Sequence, residues 1–418
     1  MGDVLPVDAA LPQVLAALSG HGAVVLRAPT GSGKTTRVPP ALLDAGFRTV
    51  VMLEPRRVAA RAAAARIAEE RGGKLGEEVG FQVRNERVGG SGTRLWVFTE
   101  GILLARLIED PFLDGVDAVV LDEFHERSVD ADLCLALLAR LRSEVRPELA
   151  IVVMSATMDA GPVAAFLGAT VVDAPGRTHP VEIRYLPRAE EGSPGALVAR
   201  HAPALLAETG GDVLAFLSGV AEIDEAYARL ADVDAERVLL HGRLPLAAQQ
   251  AALRPGLRPR IVLATNVAET SVTLPGVRAV LDAGWVRVSR YDPRRGLDAL
   301  VLEANSRASA DQRAGRAGRV GPGIALRLWP ERSHGARPAS DDPEVRRADL
   351  SGALLALAAW GEPDAVAFPW FEAPPSDALA AARRLLVQLG LLDGAGALTA
   401  RGRDAARLGT HPRLATLL

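Results

Sequence analysis

At 418 residues the chain is too long for one compact core, so two or three domains are expected, and its 49 % hydrophobic content fits globular packing. The formal net charge of −3 excludes a globally basic nucleic-acid binder while leaving room for a locally basic groove. The N-terminus has no basic-then-apolar leader and no run of about 18 apolar residues could cross a membrane, so a cytoplasmic protein without a membrane partner is expected.

Residues 11–18 have helical spacing and precede the apolar run Val24–Leu26, which reads as a buried strand. The segment A-P-T-G-S-G-K-T-T (Ala28–Thr36) follows. Gly31 and Gly33 let the backbone wrap closely, so that Thr30, Gly31, Ser32 and Gly33 can turn their N–H groups toward phosphate oxygens. A helix expected to start near Lys34 adds its positive end, with Lys34 reaching the β- and γ-phosphates, Thr35 offering a hydroxyl to Mg²⁺, and Thr36 completing the turn. Ala28 stands where the P-loop pattern has its first glycine. A Gly/Ser turn that happens to hold a lysine is the plainer alternative. Of the 48 basic residues, however, all but Lys34 and Lys74 are arginine, and the P-loop position keeps its compact ammonium.

Thr49–Leu53 predicts a second strand, closed by E-P-R-R, with an alanine-rich helix running to about Glu70. Arg56 and Arg57 then sit at the carboxyl edge of a parallel sheet, where ligands collect, and could hold a phosphodiester backbone; a solvated helix start is the alternative. Leu95–Phe98 leads into T-E-G-I-L-L, with Thr99 at the same edge. Ala118–Leu121 runs into D-E-F-H-E-R. An acidic pair directly after a buried strand is costly without a cation. Asp122 would hold Mg²⁺, Glu123 would accept the proton of an attacking water beside the metal, and His125 could link the site to the neighbouring domain. The only cysteine, Cys134, lies in the apolar run Leu133–Leu138; it excludes a disulfide scaffold and a cysteine-built zinc site and reads as a core thiol. Ile151–Met154 leads to S-A-T, whose Ser155 and Thr157 hydroxyls suit a hydrogen bond to Asp122 or His125. The first α/β domain ends near residue 178, with Pro175–Pro180 as a linker.

A second α/β unit has no P-loop of its own. Val213–Leu217 ends at Ser218 and Gly219; Val238–Leu240, Ile261–Ala264, Val277–Leu281 and Trp285–Arg290 add strands, and Asp292–Gly296 turns back into Leu297–Leu302 as a hairpin. In D-Q-R-A-G-R-A-G-R the spacing of Arg313, Arg316 and Arg319 places three guanidiniums on one helical face. Uncompensated, they need an anion, which Gly315 and Gly318 would let approach; Gln312 could orient a water. An accident of an Arg- and Gly-rich composition is the alternative.

The series A-P-T-G-S-G-K-T, E-P-R-R-V-A-A, T-E-G-I-L, D-E-F-H, S-A-T, F-L-S-G, T-N-V-A-E-T-S and Q-R-A-G-R-A-G-R, in this order over roughly residues 20–325, resembles the DEAH-box group of superfamily 2 helicases. With S-D-D-P-E-V-R-R-A-D-L-S-G-A-L-L-A-L and the sequence near Trp360, it is most similar to the bacterial HrpB-type branch. D-E-F-H replaces D-E-A-H, and Phe124 is expected to face away from the metal. The resemblance implies an α/β fold of two tandem RecA-like parallel-sheet domains, 1–178 and 179–332, followed by a small winged-helix domain, 333–409. The end, 410–418, resembles the opening of a helical bundle, so the polypeptide reads as truncated, able to hydrolyse ATP and poor at unwinding. The implied cofactors are ATP, other NTPs being possible substrates, and Mg²⁺. Single-stranded RNA is the implied partner, traversed 3′-to-5′; a monomer is expected, and a protein activator is unknown.

Residue by residue, the resemblance makes Gln312 the water-orienting group and Arg316 and Arg319 arginine fingers. Arg56, Arg57, Thr99, Ser218, Gly219 and Thr270 match positions that grip the sugar–phosphate backbone, which predicts salt-sensitive binding with little sequence selectivity. Leu253 stands where relatives place an aromatic against the base, which suits a motor accepting several NTPs. No motif senses a 2′-hydroxyl, so a DNA-directed motor stays open beside the RNA reading. A nucleotide-gated RNA clamp is the third reading, disfavoured by an intact Glu123.

Overall fold

Alternation along fully apolar strands builds the core. In the first sheet Val50 and Met52 enter one cluster while Val51 and Leu53 enter another, and Val24 and Leu26 divide in the same way from Ala23 and Val25. Side chains of a strand alternate between faces, so such runs are stable only when helices cover both. In the computed structural model, which describes residues 4–156, 159–176, 179–269, 274–292 and 295–417, they do. Val14 and Leu18 of helix Leu11–His21, Val38 and Leu42 of helix Lys34–Asp44, and Ile67 of helix Arg57–Glu70 cover one face. Leu103 and Leu107 of helix Glu100–Glu109 and Leu135 and Leu138 of helix Val129–Glu144 cover the other.

The strands of this sheet are β1 (Ala23–Arg27), β2 (Val50–Leu53), β3 (Val79–Val83), β4 (Glu86–Val88), β5 (Leu95–Phe98), β6 (Ala118–Leu121), β7 (Ala150–Ser155) and β8 (Thr170–Asp173). They lie in the order β4-β3-β5-β2-β6-β7-β1-β8, parallel except for the antiparallel β3–β4 pair. Parallel pairing puts every carboxyl end on one edge: Leu53 faces both Phe98 and Leu121, and Arg27 faces Ser155. The P-loop, Glu54–Arg57, Thr99 and Asp122 therefore emerge side by side.

A second sheet holds β9 (Val181–Leu186), β10 (Asp212–Phe216), β11 (Glu236–Leu240), β12 (Arg260–Ala264) and β13 (Val277–Asp282); β14 (Trp285–Asp292) and β15 (Leu297–Ala304) pair with each other, and β16 (Gly323–Pro330) returns to the sheet. The order β11-β12-β10-β13-β16-β9 is parallel throughout. Two clusters again cover its faces. Buried Arg260 ties the start of β12 to β10: its Nε lies 2.7 Å from Asp212 Oδ2.

The chain forms two compact units: Met1–Pro175 with Ser289–Ala299 and Asp342–Leu418, and Gly176–Val288 with Leu300–Asp341. In the first unit, helices Ser351–Trp360 and Ser376–Gln388 add Leu354, Leu357 and Leu386 to the same cluster as Leu103 and Leu135. Between Glu344 and Trp360 the helical structure is interrupted. A short 3-10 turn, Glu344–Arg346, precedes a helix that starts only at Ser351, where Asp349 Oδ1 accepts the Ser351 N–H at 2.6 Å. Beyond helix Ser376–Gln388 a single antiparallel bridge joins Leu392 to Leu398. The turn expected at Asp292–Gly296 is closed by the Gly296 N–H on the Asp292 carbonyl at 2.8 Å, and Pro293 and Arg294 lie outside the described residues. Among the described residues no helix is long and apolar enough to cross a membrane.

Candidate phosphate-binding and carboxylate site

The loop after β1 has the backbone that phosphate binding needs. Gly31 and Gly33 have φ of 84° and 91°, in the left-handed region where a Cβ is strained, and a Cβ on Gly33 would lie 2.5 Å from Leu5 Cδ1. Ala28 is absent from the positive-φ residues and is buried, with its N–H on the Ser155 carbonyl at 2.9 Å, so the missing first glycine costs the loop nothing. The Ser32 hydroxyl is buried without a hydrogen-bond partner, which marks the loop as a cradle built for a polar guest. Helix Lys34–Asp44 begins at the loop with Gly33 as its cap; Thr30 lies in the loop before it and Thr36 in its first turn, both partly buried.

Lys34, Thr35, Asp122 and Glu123 converge. Lys34 is 3 % exposed, and its ammonium lies 3.0 Å from Glu123 Oε1 and 3.9 Å from Asp122 Oδ1. Thr35 Oγ1 donates to Asp122 Oδ2 at 2.5 Å. Burial works against the ammonium, yet Glu123 and Asp122 outweigh it and raise the Lys34 pKa. Burial pushes Asp122 up to about 6, with Lys34 opposing and Glu123 reinforcing the rise. Glu54, the first residue past β2, was missed in the sequence reading: it is 1 % exposed, its Oε2 has no partner, and burial followed by repulsion from Asp122 and Glu123 raises its pKa well above the carboxylate range. The signal was available, since an acid directly after a buried strand is what singled out Asp122.

D-E-F-H-E-R forms a tight 3-10 turn over Phe124–Glu126, with non-glycine residues in the left-handed region at both ends, Glu123 at φ 49° and Arg127 at φ 50°. Phe124 points into the core, its ring 5.8 Å from Phe371, so the substitution within D-E-F-H leaves the carboxylates untouched. His125 Nδ1 lies 3.5 Å from Glu123 Oε2. Arg127 pairs with Asp132 at 2.7 Å and with Glu372 at 3.3 Å. Arg56, extended at the cap of helix Arg57–Glu70, pairs with Glu126 at 3.2 Å, while Arg57 is exposed. Thr99 caps helix Glu100–Glu109 through its backbone alone, and Ser155 is buried at the end of β7; Thr157 lies outside the described residues.

Two oxygens, Thr35 Oγ1 and Asp122 Oδ2, thus face one point, and Glu123 stands beside them. Among the described residues no group of three His, Cys, Asp or Glu side chains could hold a metal by itself. Such a half-site fits Mg²⁺, which takes one or two protein oxygens and completes its shell with water and phosphate.

The next residue, Glu100, is half-buried, and Ser128 donates to its Oε2 at 2.6 Å. Burial pushes its carboxyl up to about 8, against the Ser128 bond and with repulsion from Asp130, Glu126 and Glu344. A carboxyl raised on folding stabilises the protonated fold, so this contribution is fully present below about pH 4.5 and is lost as pH rises through 8. Glu100→Gln is expected to gain thermal stability over the parent progressively between pH 5 and 8; melting temperatures across that range check it.

In the second unit the structure corrects the expected row of guanidiniums. Helix Arg307–Ala314 stops before Arg316, which lies in the 3-10 turn Gly315–Gly318, with Arg319 just beyond. Arg313 is not waiting for an external anion: it is buried, with Nε 2.9 Å from Glu269 Oε2 and Nη1 2.8 Å from Asp282 Oδ1. Arg316, also buried, donates through Nε to the Glu269 carbonyl at 3.0 Å, and Arg319 and Gln312 are partly buried. Gly318 makes room for the protein's own backbone, since its Cβ would lie 2.6 Å from the His179 carbonyl oxygen. Ser218 has a buried hydroxyl without a partner, and Gly219, extended at φ −173°, caps helix Val220–Arg229. Thr270 lies outside the described residues.

Residues 8–166 match the DEAD/DEAH box helicase family and residues 198–321 the helicase conserved C-terminal domain. The chain is 44 % identical to the ATP-dependent RNA helicase HrpB of Escherichia coli K12 over 99 % of its own length and 52 % of that protein's. It is 38 % identical to HrpA of the same organism, covering 100 % of this chain and 33 % of the relative. A crystal structure of Escherichia coli DEAH/RHA helicase HrpB superposes with a TM-score of 0.92 at 43 % identity, over 99 % of this chain and 54 % of that one. The chain thus spans about half the length of HrpB and a third of that of HrpA.

Proposed function

The chain belongs to the DEAD/DEAH box helicases, of the DEAH type, and from that premise we propose that it is an RNA-directed motor that hydrolyses ATP and moves 3′-to-5′ along single-stranded RNA. One observation carries the reading: Lys34, Thr35, Asp122 and Glu123 meet at the mouth of a loop whose two glycines are left-handed. Phosphate oxygens binding Lys34 substitute for the Glu123 carboxylate that holds it here, which frees Glu123 to take a proton from water. Thr35 and Asp122, with Glu123 beside them, would hold Mg²⁺, which would supply positive charge to offset that of the phosphate. His125 orients Glu123, and Ser155 and Thr157 carry the change onward.

By the motif match, Gln312 orients the water and Arg316 and Arg319 stabilise transferred charge. Because Arg316 donates to the Glu269 carbonyl, its use requires that contact to exchange. Arg56, Arg57, Thr99, Ser218, Gly219 and Thr270 grip the RNA backbone, so affinity falls steeply with salt. Helices Ser351–Trp360, Ser376–Gln388 and Ala400–Arg407, with the Leu392–Leu398 bridge between the last two, support the winged-helix reading of 333–409.

The test is phosphate release from Mg–ATP with poly-RNA, with poly-DNA and without either. Stimulation by RNA alone is expected. Equal stimulation by DNA would favour a DNA-directed motor, and nucleotide binding without release in any arm would leave only a clamp. Duplexes with a 3′ or a 5′ single-stranded tail then check direction, displacement being expected from the 3′ tail only.

A further inference from the structure

β2 and β6 are neighbours in register, so the segments that follow them, Glu54–Arg57 and Asp122–Arg127, leave the sheet together. Two observations tie these segments further out. Arg56 Nη2 lies 3.2 Å from Glu126 Oε2, with both side chains about a fifth exposed at 22 % and 20 %. Glu126 closes the same short turn that Glu123 opens, and that turn is bounded by two left-handed non-glycine residues. Such a turn is held by its surroundings rather than by its own backbone preference. Its anchors are Lys34 on Glu123, the core around Phe124, Arg56 on Glu126, and Asp132 and Glu372 on Arg127. Of these cations Arg56 is the most exposed, at 22 % against 16 % for Arg127 and 4 % for Lys34, so it is the one a polyanion in solution reaches most readily. A carboxylate presents a guanidinium with the charge sign and oxygen spacing of a phosphodiester.

We propose that Glu126 is a positioning residue that stands in for an RNA phosphate on Arg56, and that exchange of the carboxylate for phosphate releases the turn that holds Glu123 against Lys34. The proposal rests on the RNA and nucleotide roles given above for Arg56 and Glu123. It makes RNA stimulation a competition between two anions for one guanidinium. Neutralising Glu126 should then mimic part of what RNA does.

The experiment compares the parent, Glu126→Gln, Arg56→Ala and the double variant. Affinity for a fluorescein-labelled oligouridylate is read by anisotropy, and ATP hydrolysis is read with and without that RNA. A partly exposed ion pair corresponds to a factor of about two to five. Glu126→Gln is expected to tighten RNA binding and to raise RNA-free hydrolysis by about that factor, and so to shrink the fold-stimulation by RNA. On the Arg56→Ala background the same substitution is expected to change neither. Equal tightening on both backgrounds would reduce Glu126 to general repulsion of RNA and overturn the proposal. No change in RNA affinity, or tighter binding with an unaltered RNA-free rate, would overturn it too. A parent chain that binds RNA without hydrolysing ATP would overturn the functional reading instead, and the binding arm would still decide whether carboxylate and phosphate compete for Arg56.

Discussion

Lys34→Ala is expected to reduce ATP hydrolysis by at least about 10²–10³-fold, the range seen when one preorganised donor to developing charge is removed. Lys34 contacts both Asp122 and Glu123, and its side chain is 4 % exposed. Arginine should not rescue it: the longer planar fork needs room that a closed slot built around an ammonium lacks. Truncation should also lower the stability of the first unit, because removing one partner of a buried pair costs about 3–5 kcal/mol when the other stays charged. Protonation softens that loss, since burial already raises Asp122 to about 6 and pushes Glu54 upward as well. Phosphate release and thermal unfolding of Lys34→Ala and Lys34→Arg check both parts.

The second large effect is structural. Arg313→Leu is expected to destabilise the second unit by about 3–5 kcal/mol, because two carboxylates lose the charge that lets them be buried. Arg313 joins Glu269 to Asp282 and lies 5.0 Å from the Phe216 ring centroid. Its partners are themselves fully used: Ser309 donates to Glu269 at 2.6 Å, and Asn305 Nδ2 and the Gly284 N–H donate to Asp282 at 3.0 and 2.9 Å. The Glu269 carbonyl in turn accepts from Arg316, so the loss reaches the last arginine motif. Denaturant unfolding should show a lower midpoint, and a variant as stable as the parent would contradict this account of the motif.

What could be read in the sequence lay at strand ends. A buried apolar strand that stops at a charged or glycine-rich segment announces an edge with a purpose, and β1 into Gly31–Lys34 and β6 into Asp122–Glu123 did so without tertiary information. The two parallel-sheet units follow from the same alternation of apolar runs and helical spacing. Arg313 was misjudged because its partners lie 44 and 31 residues upstream, beyond any periodicity, so a satisfied internal ion pair looked like a vacant anion site. The glycines around Arg316 were assigned to ligand approach, whereas Gly318 answers to the His179 carbonyl. Glu54 follows a buried strand as Asp122 does and so meets the same rule, whereas Glu126 sits inside a short turn that no periodicity marks. Helix Ser351–Trp360 begins where Asp349 accepts the Ser351 N–H, a local choice that apolar spacing does not encode.

The most direct test of the central claim is made on Glu123→Gln, which keeps the size of the side chain and its contact with Lys34 while removing the charge that takes the proton. Mg–ATP binding at equilibrium and phosphate release in a single turnover should be measured on the same preparation. Binding like the parent's with release slowed by about 10²–10⁴-fold is expected of a general base. Parent-like release from Glu123→Gln would show that the proton leaves by another route, and the site built from Lys34, Thr35, Asp122 and Glu123 would lose its catalytic reading.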